Sequence, residues 1–185
     1  MGKRPKNLLE YGKWLFVRGL TAVTVSLLIV IGLIAWRAYK VANLDNLITS
    51  AECSTNTAEL GGPWGQVQLS IEVADTDETR ARGLMFREQL PPNNGMLFVY
   101  PEPTAPIFWM KDTPLPLDIL FFDERGDLRH VHFNARPFDE TPISGGTGIR
   151  FVMELQAGEF QRLGIGLRAA LRHPTVEHSS ARWAC

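Results

Sequence analysis

Residues 108–126, FWMKDTPLPLDILFFDERG, decide the fold. An apolar stretch ends in Lys111 and Asp112, and after two prolines Asp118 opens a second apolar stretch. Charged groups beside so much apolar surface are costly to bury unless they are paired or hydrogen-bonded. The segment therefore predicts buried β structure, and Lys111, Asp112 and Asp118 are either a structural lock or part of a binding site.

The flanking sequence repeats the pattern of short strands. Residues 66–73 alternate polar and apolar side chains, which is typical of a half-buried strand. Asp75 and Glu78 indicate a capping box for a short helix over 76–82 that ends at Gly83. A second helix is predicted over 159–163. Further strands are predicted at 96–100, 107–111, 117–122, 128–134 and 151–155, with a possible last strand at 169–171. This content indicates a mainly β domain with two short helices, built as a small antiparallel barrel or sandwich.

The charge is distributed unevenly along the chain. Residues 1–40 contain seven Lys or Arg and one acid, Glu10, out of totals of 19 and 20. The remaining 12 bases and 19 acids give residues 41–185 a net charge of −7. Nucleic-acid binding requires a basic face, so we do not expect the folded part to bind nucleic acid.

Residues 19–36 contain no charged side chain and predict a single transmembrane helix of roughly 27 Å. Arg18 and Arg37 flank this segment, and Trp14 and Trp36 suit the two membrane interfaces. The excess of bases ahead of the segment predicts an N-terminus in the cytoplasm and a C-terminal domain outside it, in a bacterium at the inner membrane. The alternatives are a cleaved signal peptide and a buried helix of a soluble protein.

The predicted organisation has five parts. They are a basic cytoplasmic N-terminus (1–18), the transmembrane helix (19–36), a linker (37–65), a β-rich domain (66–172) and a loose tail (173–185). Cys53 and Cys185 bracket the folded region and could form a disulfide outside the cytoplasm. The position of Cys185 in a polar tail leaves the unpaired state open as well.

Four motifs carry a family resemblance. They are RGLMFR (82–87), GMLFVYPEP (95–103), FWMKDTPLPLDILFFD (108–123) and FVMELQAG (151–158). In order and spacing they resemble the bacterial and archaeal family called domain of unknown function 192, over residues 66–166. The resemblance implies a compact, jelly-roll-like β domain, often carried behind a signal or membrane anchor, and implies no catalytic residue. The chain departs from the family pattern at 135–148, where many members have a cysteine-containing loop, and at 166–172.

The predicted binding site is centred on the indole of Trp109. In an extended strand Trp109 and Lys111 share one face, where they could hold an anionic or carbonyl-bearing ligand. The alternatives are that Lys111 pairs with a nearby acid and that Asp118 caps backbone donors. The candidate ligand-binding residues are Trp109, Lys111, Asp112 and Asp118, with Arg87 and His132 as second choices.

Two other functions stay open. A hydrolase or transferase could use a carboxylate together with His132, although the chain lacks the usual nucleophile and phosphate-loop signatures. A Cu(I) site could be formed by Met85, Met96, Met110, His130 and His132, whereas methionine more often fills gaps in a core. We predict no cofactor, and we favour a membrane-anchored, non-catalytic module that binds a small molecule or an envelope protein.

Overall fold

The computed structural model describes residues 29–37, 53–177, 179 and 181–185. The chain divides into two units, Met1–Ala51 and Glu52–Cys185. In the first unit, residues 29–37 form a helix whose side chains are exposed. Within these described ranges, no helix has the length and apolar character needed to cross a membrane. Most of the predicted transmembrane segment 19–36 lies outside the described residues, so this assignment stays a prediction.

The second unit is mainly β, as predicted. Its described residues form β1 (Thr57–Gly62), β2 (Gly65–Ala74), α1 (Asp77–Arg82), β3 (Asn94–Thr104), β4 (Ile107–Phe108), β5 (Leu117–Asp123), β6 (Leu128–Ala135), β7 (Ile143–Ser144), β8 (Ile149–Gln156), α2 (Glu159–Arg162) and β9 (Ala170–Arg172). Seven strands form one sheet in the order β6-β5-β8-β3-β2-β1-β9, and β4 pairs with β7.

The large sheet curls into a half-barrel. Its two edge strands meet at one corner, where Asp127 and Ala170 form a bridge and the Leu128 amide donates to the Ala169 carbonyl at 2.9 Å. This contact shields part of both sheet edges from further strand pairing. The predicted antiparallel arrangement is wrong for one pair, because β2 and β3 run parallel. The connection through α1 provides the crossover that a parallel pair requires.

The sheet buries apolar side chains on both faces. The first core cluster includes Leu69, Leu120 and Met153, and the second includes Phe98 and Phe121. Neighbouring residues of a strand point to opposite faces. A buried polar side chain of this sheet therefore lies in the first or the second core cluster, depending on the face to which it points.

Three local predictions need correction. Residues 57–62 form β1 within the predicted linker, because Ala58 and Leu60 are fully buried when β1 pairs with β2. The capping box of α1 is formed by Thr76 and Thr79 instead of Asp75 and Glu78. The predicted strand 107–111 is reduced to β4, and the backbone turns after it.

The described part of the C-terminal tail is held to the domain. His173 and Val176 are buried, and Cys185 forms a disulfide with Cys53 across a Cα–Cα distance of 5.7 Å. The prediction of a loose tail is therefore wrong for these residues. The disulfide links the beginning and the end of the described domain.

Candidate functional site

A cavity of about 240 Å³ lies beside α1, on the sheet face of the second core cluster. Its lining combines four aromatic side chains with the charged or ionisable groups of Arg80, Arg82 and Glu154. The side chains that define it are Arg80, Phe98, Tyr100, Phe108, Trp109 and Glu154. We call this space the Glu154 cavity.

Glu154 is a buried acid in the middle of an apolar strand. In β8 it pairs with Met96 on one side and Ile119 on the other, and only 4% of its surface is exposed. Its Oε2 atom is fully buried and has no hydrogen-bond partner among the described residues. Burial raises the pKa of Glu154 to about 8, because the charged form loses its hydration. Near neutral pH the side chain is therefore mostly a carboxylic acid that can donate a hydrogen bond.

Arg80 of α1 contributes a fixed positive charge to the cavity wall. Its Nη1 donates to the backbone carbonyl oxygens of Asp75 (2.6 Å) and Val99 (2.7 Å). Its Nη2 donates to Asp77 Oδ1 at 2.5 Å. These three bonds fix the guanidinium in place, so the charge is already oriented before any ligand enters.

Tyr100 of β3 interacts with both Arg80 and Glu154. The Cζ atom of Arg80 is 5.3 Å from the centre of the Tyr100 ring, a cation–π contact. Burial raises the pKa of Tyr100, Arg80 lowers it and Glu154 raises it. The phenol therefore keeps its proton at neutral pH and is a second neutral hydroxyl donor at the cavity.

The structure brings Trp109 and Lys111 together, as expected for residues two positions apart. Trp109 is half exposed and lines the cavity, and Lys111 Nζ is 5.6 Å from the centre of its ring. Phe108 and Met110 point inward. In the described part of the chain Lys111 forms no ion pair. The structure therefore does not have the alternative arrangement, in which Lys111 pairs with a nearby acid.

Asp118 is separated from Trp109 by the sheet. It pairs with Leu155 and points to the face of the first core cluster, opposite to Glu154. Its Oδ1 accepts from the Asn134 amide at 3.0 Å, and its Oδ2 accepts from the amides of Gly158 (2.9 Å) and Phe160 (3.4 Å). Asp118 thus caps the first turn of α2. It is a hydrogen-bonded structural acid and does not belong to the cavity.

The second-choice residues also have other partners or positions. Arg87 forms a two-pronged ion pair with Glu72, one arm of which is 2.5 Å long. His132 pairs with Ile119 and therefore lies on the opposite face of the sheet from Asp118. The structure does not assemble the acid–base pair of Asp118 and His132 that the enzyme hypothesis considered.

The residues of the Cu(I) hypothesis have different surroundings in the structure. Met96 and Met110 are buried in the second core cluster, whereas Met85 lines the Glu154 cavity. His130 stacks on Phe121 with a centroid distance of 5.8 Å. Among the residues that the structure describes, no group of three or more His, Cys, Asp or Glu could hold a metal ion.

The loops next to Trp109 have an unusual backbone. Phe86, Asp112 and Phe138 have φ values of 63°, 51° and 60°, which bulky residues rarely adopt. Backbone hydrogen bonds join these loops: the Phe86 amide donates to the Asp112 carbonyl at 2.7 Å, and the Phe138 amide to the Thr113 carbonyl at 3.2 Å. Strained backbone of this kind persists only where the surroundings enforce it, and it often clusters at functional sites.

The sequence profile of domain of unknown function 192 (DUF192), described as "Uncharacterized ACR", matches residues 61–173. The chain belongs to this family. The match covers β2 to β9 and every residue that defines the Glu154 cavity. A comparison with curated proteins gives no match.

Two solved structures resemble this DUF192 domain. One is a protein of unknown function from Novosphingobium aromaticivorans DSM 12444, with 34% identity and a TM-score of 0.60 over 62% of this chain and 82% of that one. The other, described as a candidate transcription regulator from Sinorhizobium meliloti 1021, has 36% identity and a TM-score of 0.61 over 66% of this chain and 95% of that one.

Sequence reasoning did not single out Glu154, although this residue lies within one of the DUF192 motifs quoted above. A signal was present, because Glu154 is the lone acid in the otherwise apolar run FVMEL of β8. Asp118 carried the same signal in β5. The sequence could not distinguish the acid that caps a helix from the acid that faces a cavity.

Proposed function

We propose that this DUF192 domain is a non-catalytic binding module for a small molecule and that the Glu154 cavity is its binding site. One observation carries this proposal: Glu154 is a buried acid whose Oε2 lacks a hydrogen-bond partner within the described structure, and it faces an aromatic cavity. Buried polar groups nearly always have a partner, and an unpaired one costs about 1–3 kcal/mol. A bound molecule with one polar group and an apolar body supplies the partner and covers the aromatic walls.

We further propose that the module is carried outside the cytoplasm on a single transmembrane helix over 19–36. The uncharged length of this segment and its basic flanks support the anchor. The disulfide between Cys53 and Cys185 supports the location, because disulfides persist in oxidising compartments and are rare in the cytoplasm.

Co-purification tests the binding proposal. The full-length chain is purified from bacterial cells under native conditions, and the compounds that it releases on denaturation are identified by mass spectrometry. We expect a small molecule from the wild-type protein and from the control Glu102→Gln, whose side chain is exposed on β3. We expect it to be absent from Glu154→Leu. Equal recovery from Glu154→Leu and wild-type protein would place the binding site elsewhere.

Thiol trapping in intact cells tests the location. Free thiols are alkylated before lysis, and the masses of peptides containing Cys53 and Cys185 are measured. An oxidised pair is expected for an extracytoplasmic domain. A fully alkylated pair in growing cells would contradict the proposed location.

A further inference from the structure

Several polar side chains of the Glu154 cavity are hydrogen-bond donors. What they imply about the ligand rests on the proposed function. The protonated carboxyl of Glu154 and the phenol of Tyr100 are neutral donors, and Arg80 adds a guanidinium. Arg82 also lines the cavity. Such a set favours an acceptor group on the ligand, and a negatively charged acceptor most of all.

The aromatic rings also favour an anion over a cation. An aromatic cage for an ammonium group needs free ring faces. Two rings of this cavity already carry cations of the protein itself: Arg80 is 5.3 Å from the Tyr100 ring centre, and Lys111 is 5.6 Å from the Trp109 ring centre. A cationic ligand would meet like charge at both rings, whereas an anionic ligand would be attracted by both cations.

The size and walls of the cavity limit the body of the ligand. Its volume of about 240 Å³ is smaller than the roughly 300–1,000 Å³ that is usual for drug-sized ligands. Phe98 and Phe108 pack edge to face on one side, with ring centres 5.0 Å apart, and Trp109 lines another. This space suits a single ring or a short apolar chain.

We infer that the Glu154 cavity binds a small carboxylate with a flat or short apolar body, whose anionic oxygen accepts a hydrogen bond from Glu154 while the Arg80 guanidinium, which also pairs with Asp77, attracts it. The apolar body lies between Phe98, Phe108 and Trp109. An O–H···O⁻ hydrogen bond of this kind is roughly twice as strong as one between neutral groups.

The same geometry makes binding depend on pH. At pH 7 Glu154 is mostly protonated because burial raises its pKa to about 8, whereas a simple carboxylate ligand is ionised. Above about pH 8 Glu154 ionises and repels the ligand, so its affinity should fall by roughly tenfold per pH unit. Charged or titratable groups on α1 include Arg80, its ion-pair partner Asp77, Glu78 and Arg82. Tyr100 of β3 and Lys111 after β4 are further such groups, and His130 and His132 of β6 lie two strands away on the same face.

Calorimetric titration of the full-length chain with three probes of matched shape tests this inference. The probes are benzoate, benzamide and benzylamine, which are anionic, neutral and cationic at pH 7. We expect benzoate to bind at least tenfold more tightly than benzylamine, and about tenfold more weakly at pH 9 than at pH 7. A preference for benzylamine, or a benzoate affinity that rises with pH, would overturn the inference.

Two variants connect the effect to Glu154. Glu154→Gln keeps an N–H donor, so we expect it to bind benzoate with an affinity that no longer changes between pH 7 and 9. Glu154→Leu removes the donor and should weaken benzoate binding at least tenfold, whereas the control Glu102→Gln should match the wild type. Unchanged benzoate binding by Glu154→Leu would overturn the inference.

The outcomes separate this inference from the proposed function. If the wild type binds benzamide or benzylamine better than benzoate and Glu154→Leu loses that binding, the cavity is a ligand site but the ligand is not a carboxylate. If none of the three probes binds, the inference is overturned, and the co-purification experiment decides the proposed function independently.

Discussion

The buried acid makes the stability of the domain depend on pH in a predictable direction. The pKa of Glu154 rises from 4.5 in the unfolded chain to about 8 in the folded domain because burial removes its hydration. Between these values the folded state holds a proton that the unfolded state has lost, so stability falls as the pH rises. Over the three pH units from 5 to 8, at about 1.4 kcal/mol per unit, the loss is about 4 kcal/mol. This is a large part of the roughly 5–15 kcal/mol that stabilises an ordinary domain.

The assay is urea unfolding of wild-type and Glu154→Gln protein at pH 5, 6, 7 and 8 without added ligand. Because a glutamine does not titrate, the stability difference between the two proteins should shift by about 4 kcal/mol in favour of the variant across this range. The comparison cancels other titrating groups, including His173, whose pKa is lowered by burial. Glu102→Gln is the exposed control and should follow the wild type. Parallel pH profiles for wild type and Glu154→Gln would show that Glu154 does not hold a proton in the folded state.

Three further predictions concern the scaffold. Replacing Cys53 and Cys185 by serine should lower the free energy of unfolding by about 5 kcal/mol, because the disulfide restricts the unfolded chain over a sequence separation of 132. Thermal unfolding with and without a reductant measures this loss, and the double variant should not respond to the reductant. Asp118→Ala leaves three backbone amides without their acceptor and should cost at least about 3 kcal/mol in urea unfolding, and a loss under 1 kcal/mol would argue against the capping role. Gly83→Ala should lower the free energy of unfolding by about 1–3 kcal/mol, because Gly83 has φ 48° and ψ −134° and an added Cβ lies 3.2 Å from the Phe98 ring. An unchanged urea midpoint would contradict this prediction.

Alternation in one segment and short apolar runs in the others were enough to predict most strands. β2 alternates polar and apolar residues, whereas β5 and β8 are short, mostly apolar segments, and the structure confirms all three within one or two residues at most ends. Local patterns do not determine which strands pair, because pairing depends on contacts between residues far apart in the chain. The parallel pairing of β2 with β3 and the meeting of the two sheet edges near Asp127 were therefore not predicted.

The candidate site was predicted in part. Trp109 was identified because it would share a strand face with Lys111, and it does line the cavity. Asp118 was grouped with it from its nearness in the sequence, but β5 directs that side chain to the opposite face. Glu154 lies about 40 residues further along the chain and reaches the cavity only because β8 pairs between β3 and β5.

Asp118 and Glu154 are both acids buried in adjacent central strands, yet they differ in how their burial is compensated. Asp118 accepts three backbone hydrogen bonds, so its burial is offset by the helix that it caps. Glu154 has no such compensation for its Oε2, and an apolar side chain at the same place would remove both the desolvation cost and the unpaired oxygen. The fold itself therefore gives no reason for an acid at position 154. The acid is explained if it binds the molecule that enters the cavity, because a neutral donor beside a fixed guanidinium is suited to bind an anionic oxygen in apolar surroundings.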